Sequence, residues 1–394
     1  KVPYAMFEID NKALVAVSGG TSAEFALWIT DGTTGGTSKL ADVSVEDSTS
    51  SEAFVAMGGK VYFAAYTEAT GRELWVTDGT LAGTQMVVEI MPGTQDHTPF
   101  SIVALNAKLI YSGMSNAGRE LWASDGTAGG TVLLKNINET TVPSTGSSNP
   151  EELTVVGNKV VFAAASTTSG FVGNRELWVT DGTEAGTQLL KEINSTGSAT
   201  PNYFANYGAD KALFMASDGI NQSQLWVTDG TVVGTQMVKI INATAGAMGY
   251  IDDPRFTTFG SQTLFIANDG TGSNALWTTD GTAGGTYKLK SIAPNTQTNI
   301  VVVGNKAYVS ANNGVNGTEL WITDGTEAGT VLVKDINTVE QWGQAGSSTP
   351  TGMTPVYLVP STGGNTAPII ANLDGDSAGY TGANYLDVND GATV

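Results

Sequence analysis

Three arginines, Arg72, Arg119 and Arg175, precede the same short word in three neighbouring stretches of the chain, a placement that could grip a carboxylate from several sides. Each is followed directly by a glutamate (Glu73, Glu120 or Glu176), so the expected role is a surface ion pair, worth roughly 0–1 kcal/mol. Asp252 and Asp253 form a carboxylate pair. Glycoside hydrolysis needs two carboxyl groups about 5–9.5 Å apart, whereas consecutive residues of an extended strand point in opposite directions. His97 is the only histidine and there is no cysteine, which excludes thiolate catalysis, disulfides, Cys-ligated metals and histidine clusters together. Near the end of the sequence Asp374, Asp376, Asp387, Asn389 and Asp390 could ligate Ca²⁺, and ordinary Asp-Gly turns explain the same residues equally well.

The elements that must position these residues come from a repeat. "ELWVTDGTLAGT" begins at Glu73, and versions of it begin at Ala26, Glu120, Glu176, Gln224, Ala275 and Glu319. Its tryptophans are Trp28, Trp75, Trp122, Trp178, Trp226, Trp277 and Trp321, and their mean spacing of about 49 residues belongs to the class of four-stranded propeller blades. Each period contains two apolar alternating pairs of strands, here a, b, c and d, with the motif forming strand c and the turn into strand d. A lysine opens strand b in six of the seven units (Lys12, Lys60, Lys108, Lys159, Lys211 and Lys306), and Gln262 replaces it in the sixth unit.

Within "ELWVTD", Leu74 and Val76 share one face of strand c and Trp75 takes the other, which suits a sheet packed between two neighbouring sheets. Asp31, Asp78, Asp125, Asp181, Asp229, Asp280 and Asp324 each begin an Asp-Gly-Thr step and are expected to accept turn N–H groups. A calcium ligand in each unit is the alternative, which one carboxylate per motif supports poorly. The expected fold is all-β: a seven-bladed β-propeller over residues 1–340, a closing strand and linker over 341–366, and the start of a β-sandwich-like repeat over 367–394.

The motif resembles the ELWxxDGT repeat family of large bacterial secreted or surface proteins, and the similarity covers about 340 of the 394 residues. "LW", "DGT" and "GT" recur in every unit, while Ala26, Gln224 and Ala275 depart from the glutamate. The resemblance implies architecture and an extracellular location, and it carries no catalytic residues. "SSTPTGMTPVYLV" is similar to the opening of an eighth unit, either a closing strand or a linker strand. The stretch from Ala367 to Val394 resembles the first strands of cadherin-like or immunoglobulin-like adhesin repeats, which implies a longer parent polypeptide.

In such a propeller the strands a line the channel, the short a–b and c–d turns share one face, and the long, variable b–c and d–a loops share the other. Variable loops on a rigid scaffold are where binding residues concentrate. That places His97, Tyr250, Asp252, Asp253 and Trp342 as candidate ligand-binding residues, with Trp342, the one tryptophan outside the motif, suited either to stacking on a sugar or to covering core. A net charge of −20 disfavours nucleic acid and admits cations, and it also keeps a repetitive β protein soluble. No apolar run is long enough to span a membrane as a helix. The sequons at Asn138, Asn194, Asn221, Asn242 and Asn316 read as coincidences of a Thr-rich composition.

The functional expectation is a non-enzymatic, secreted propeller module that binds a surface glycan or protein ligand, with no required cofactor beyond optional Ca²⁺. A self-assembling sheath or filament of like chains and a carbohydrate-active propeller enzyme are the alternatives.

Overall fold

A computed structural model describes residues 2–18, 25–45, 53–138, 146–166, 174–243, 253–294, 300–338, 346–355 and 369–372. Among them there is no helix, and the strands form seven antiparallel sheets in which strands a, b, c and d pair in chain order, together with one two-stranded sheet near the end of the chain. The fold is therefore all-β and of the propeller class, built from four-stranded blades. The third sheet is representative, with strands Phe100–Leu105, Lys108–Ser115, Gly118–Ser124 and Val132–Lys135. In the second and seventh sheets strand a is split into two short pieces on the same strand b, giving five strands.

The chain divides into two units. The first comprises residues 1–212, 217–219 and 228–235, and the second 213–216, 220–227 and 236–394, so the boundary runs through the fifth sheet. In the first unit the two faces of strand c separate as the alternation predicts. Leu74 and Val76 pack with Ile102, Leu109, Tyr111 and Trp122 of the third sheet, whereas Trp75 packs back against the first sheet beside Leu14, Leu27 and Ile29. Trp178 likewise meets Val103, Ile110 and Leu121 of the preceding sheet. In the second unit Trp321 packs with Leu264, Leu276 and Leu289. Trp75, Trp122, Trp178 and Trp321 thus pack against the sheet before their own, and removing a buried ring such as Trp178 should cost about 3–5 kcal/mol.

The Asp-Gly-Thr turn explains why so many small polar residues are repeated. Asp78 Oδ1 accepts the Thr80 N–H at 2.9 Å and the Thr80 hydroxyl at 2.7 Å, Gly83 N–H donates to Thr80 Oγ1 at 3.0 Å, and the Thr84 hydroxyl bonds the Thr80 carbonyl at 2.7 Å. Thr77 and Thr84 join the two strands at 2.7 Å. The other six aspartates accept the same pair of bonds from the threonine two residues on. A β-carbon at Gly83 would collide with the Asp78 carboxylate, so only glycine closes the turn. The turn-forming role of these aspartates is met in every unit.

In the segment similar to the opening of an eighth unit, Thr351–Pro355 forms a strand that lies beside Val301–Val303 and pairs antiparallel with Ile369–Asn372. Its irregular register, between Thr351 and Thr354, repeats that between Phe100 and Val103 and between Glu151 and Thr154.

Candidate functional site

Strand a is the first strand of every sheet, and among the described residues no second strand pairs along its other edge. In the first unit the inner strands Val2–Ile9, Val55–Met57, Phe100–Leu105, Glu151–Val156 and Asn202–Tyr207 surround a cavity of about 380 Å³. Its walls include Phe7, Val55, Ile102, Leu153, Val155 and Phe204. The space exists because one register position carries short side chains: Ala56, Ala104, Val155 and Asn206 occupy equivalent places in four successive strands and all line the cavity. The expectation that strands a line a channel is met in this unit.

Near their starts several of these inner strands carry bulges. Ser101, Glu152 and Tyr203 hold equivalent positions and all adopt left-handed backbone, with φ of 52, 60 and 56°. Such conformations are strained for residues with a β-carbon and are held by their surroundings. The surroundings here are specific. Leu153 N–H donates to Ser101 Oγ at 3.0 Å, and Phe204 N–H donates to Glu152 Oε2 at 3.1 Å, so each bulge side chain reaches the next inner strand. Burial pushes the Glu152 carboxyl above the usual carboxylate range, against the Phe204 N–H, and Glu151 adds to the rise while Arg175 opposes it.

The arginines that opened the sequence analysis support these bulges. Arg119 donates to the carbonyl of Thr98 at 3.0 Å and to its hydroxyl, and Arg175 donates to the Asn149 carbonyl at 2.9 Å and pairs with Glu151 at 2.8 Å. Arg72 pairs with Asp96 at 2.8 Å and lies over the Tyr66 ring. Arg72 and Arg175 thus form ion pairs as expected, but with carboxylates other than the glutamates that follow them, and Arg119 bonds Thr98 instead. Glu73, Glu120 and Glu176 are at most 1% exposed. Their carboxylates accept backbone N–H groups of the d–a loop: Ile90 and Met91 for Glu73, Ile137 and Ser148 for Glu120, Ile193 and Ala199 for Glu176. Glu319 does the same for Ile336 and Ser348. Where Gln224 replaces glutamate, its Oε1 accepts Ile241 N–H at 2.8 Å and its amide donates to the Asn242 carbonyl at 2.6 Å. Burial pushes Glu73 and Glu176 up to about 7, against the N–H groups that bond them. One sequence signal could have revealed this: Glu73 lies on the same face of strand c as Trp75, the face that packs inward.

Of the candidate ligand-binding residues, His97 is fully buried. Its ring meets Trp122 and Tyr111 edge-on, with centroids 4.8 and 5.6 Å away. Nδ1 faces the Met114 carbonyl, which can only accept, and Nε2 lies 3.3 Å from the Tyr111 hydroxyl. Burial depresses its pKa to about 4, so the ring is neutral and structural rather than a group presented to a ligand. Asp253 caps a local turn, accepting Arg255 N–H at 2.7 Å and pairing with Arg255 Nε at 3.5 Å. Tyr250, Asp252 and Trp342 lie outside the described residues, as do the candidate metal ligands Asp374, Asp376, Asp387, Asn389 and Asp390. The sequons also receive a correction. Asn138, Asn194 and Asn242 are buried at the same point of successive d–a loops, and Asn194 Oδ1 accepts both the N–H and the hydroxyl of Thr196. Asn138 and Asn194 each also donate to a carbonyl of their own loop, which gives these two a structural role there.

No protein-family model matches the chain, and no curated protein matches it. Among solved structures it is similar to a puromycin hydrolase (11% identity, TM-score 0.45, covering 94% of this chain and 57% of that one). It is also similar to a prolyl endopeptidase (11%, 0.47, 84% and 49%) and to the β-propeller domain of the trilobed protease from Pyrococcus furiosus (11%, 0.41, 85% and 96%). The chain spans about half the length of the puromycin hydrolase and the prolyl endopeptidase. These structures are peptidases or a protease domain, not adhesins, and this overturns the expectation of a non-enzymatic adhesion module together with its sheath and carbohydrate-active alternatives.

Proposed function

We propose that the chain is the propeller portion of a peptidase-type protein, and that the cavity of its first unit receives an extended peptide. The observation that carries this reading is the wall of that cavity, which is built from the first strands of successive sheets and carries mostly apolar side chains. An extended peptide laid along such strands finds main-chain groups to bond and pockets for alternate side chains. The lining of the cavity is largely apolar, with Thr154 and Asn206 as its polar side chains, the usual make-up of a ligand site. Peptide hydrolysis is what the names of the similar structures state of those proteins. The sole histidine of this chain is locked in packing, so a histidine-assisted nucleophile would have to come from outside these residues.

The test is fluorescence anisotropy of an unstructured peptide, labelled at its C-terminus, titrated with the chain. Asn206→Trp fills the ring of short side chains from an exposed position. Saturable binding to the wild type, weakened at least tenfold (about 1.4 kcal/mol) in the variant, is expected. Equal binding by both proteins would remove the cavity from consideration.

A further inference from the structure

The wall of the cavity is chemically uneven. Phe7 and Phe54 form one part of it, with ring centroids 5.8 Å apart, and Phe63 backs Phe54 at 5.5 Å. The polar side chains of the lining, Thr154 and Asn206, stand instead on two consecutive inner strands, Glu151–Val156 and Asn202–Tyr207. Those strands are tied to each other through the Phe204 N–H and Glu152. The Thr154 hydroxyl donates to the Glu152 carbonyl of its own strand at 3.0 Å, so its proton is already used.

Asn206 is different. Ala56, Ala104, Val155 and Asn206 are each the penultimate residue of their inner strand, and all four line the cavity. The first three pair with Val61, Leu109 and Val160 of strand b, one step before the pair that closes the a–b turn. Three strands therefore place a side chain there that cannot form a hydrogen bond, and the fourth places a carboxamide. Neither strand propensity nor local bonding accounts for it. Asparagine is depleted in strands, and the Asn206 side chain is exposed and makes no hydrogen bond to any of the described residues. A carboxamide carries an acceptor and donors side by side, the complement of an N–H and a carbonyl that lie side by side on a ligand.

We propose that Asn206 is the residue through which the cavity recognises the bound peptide, its Oδ1 accepting an N–H and its Nδ2 donating to the neighbouring carbonyl. The apolar wall of Phe7 and Phe54 receives a side chain of the same peptide. This rests on the peptide reading above. Two parts of a peptide share the required chemistry: the carboxamide of a glutamine or asparagine, and the N–H and C=O of one residue of an extended main chain, which point to the same side.

The experiment uses an apolar, C-terminally labelled peptide with a single glutamine. One analogue has norleucine in place of the glutamine, and a series of others replaces one main-chain N–H at a time by an ester oxygen. Each is titrated against the wild type and Asn206→Leu, which removes the amide at similar volume, with thermal melts confirming that both proteins are folded. One analogue should bind the wild type about fivefold to tenfold more weakly than the parent peptide, the loss of one or two hydrogen bonds, and should bind Asn206→Leu as the parent does. A loss with norleucine identifies the side-chain amide, and a loss with an ester identifies the main chain. Equal binding of every peptide to the wild type would overturn the inference and leave the peptide reading intact, as would a loss that persists in Asn206→Leu. Failure of every peptide to bind the wild type would overturn both.

Discussion

His97 shows how one residue can reshape its neighbours. At the equivalent place in the next sheet stands Ser148, whose hydroxyl bonds Glu120, and the residue facing it there is Ala164. In the third sheet the facing residue is Gly113, because a β-carbon would run into Cε1 and Nε2 of the His97 ring. Tyr111 supplies a hydroxyl to Nε2 where the neighbouring sheets have Phe63 and Phe162. Histidine, glycine and tyrosine therefore form one packing solution. Gly113→Ala should destabilise the chain by about 1–3 kcal/mol through overpacking, and His97→Ser should be destabilising by leaving a cavity. The double variant restores the pairing used in the next sheet, so its loss should be smaller than the sum of the two singles, as read from denaturant midpoints. Additive losses would show that the residues are not coupled. The sequence marks His97 as unusual by its singularity, but its burial depends on a glycine sixteen residues away, and loop composition alone points to the surface.

At the scale of strands and loops, two acidic devices recur with opposite electrostatic character. In the Asp-Gly-Thr turn the threonine hydroxyl, with the turn N–H, holds carboxyls such as Asp78 and Asp125 below their ordinary value. Their contribution is present above the unfolded pKa and is lost as pH falls through the lower folded one. The glutamates of strand c behave in reverse. Glu73 and Glu176 are raised by burial to about 7, so the folded state holds their protons more tightly than the unfolded chain does. Stability from that difference is complete below about pH 4.5 and is lost as pH rises through about 7. Thermal midpoints should therefore peak in mildly acidic buffer, and replacing Glu73 and Glu176 by Gln should flatten the decline between about pH 4.5 and 7. Gln224 already serves as such a clamp in the fifth sheet, so Glu176→Gln should be well tolerated, whereas Glu176→Ala strands buried N–H groups and should cost about 1–3 kcal/mol. A Glu176→Ala variant as stable as the wild type would contradict the clamp. The repeat made the turn aspartates legible, since Asp-Gly-Thr is a local chemical instruction. The glutamate clamp was not, because its partners lie 17 or more residues downstream and are main-chain groups that no side-chain pattern announces.

For the molecule as a whole, strand order and sheet packing were readable from a period of about 49 residues, with an apolar alternation that only a sandwiched sheet satisfies. Two strands a are nonetheless split, a detail set by the chain's path rather than by its pattern. Function was less legible for a physical reason. The cavity is made by what is missing from Ala56, Ala104, Val155 and Asn206, and short side chains leave no motif. The central claim is that an extended peptide lies along the inner strands of the first unit. Amide hydrogen exchange, with and without saturating peptide, tests it directly. The account predicts new protection in the inner strands, at residues such as Ala104, Val155 and Asn206, with the outer strands d unchanged. Protection confined to the outer strands, or none at a concentration that saturates binding, would contradict it.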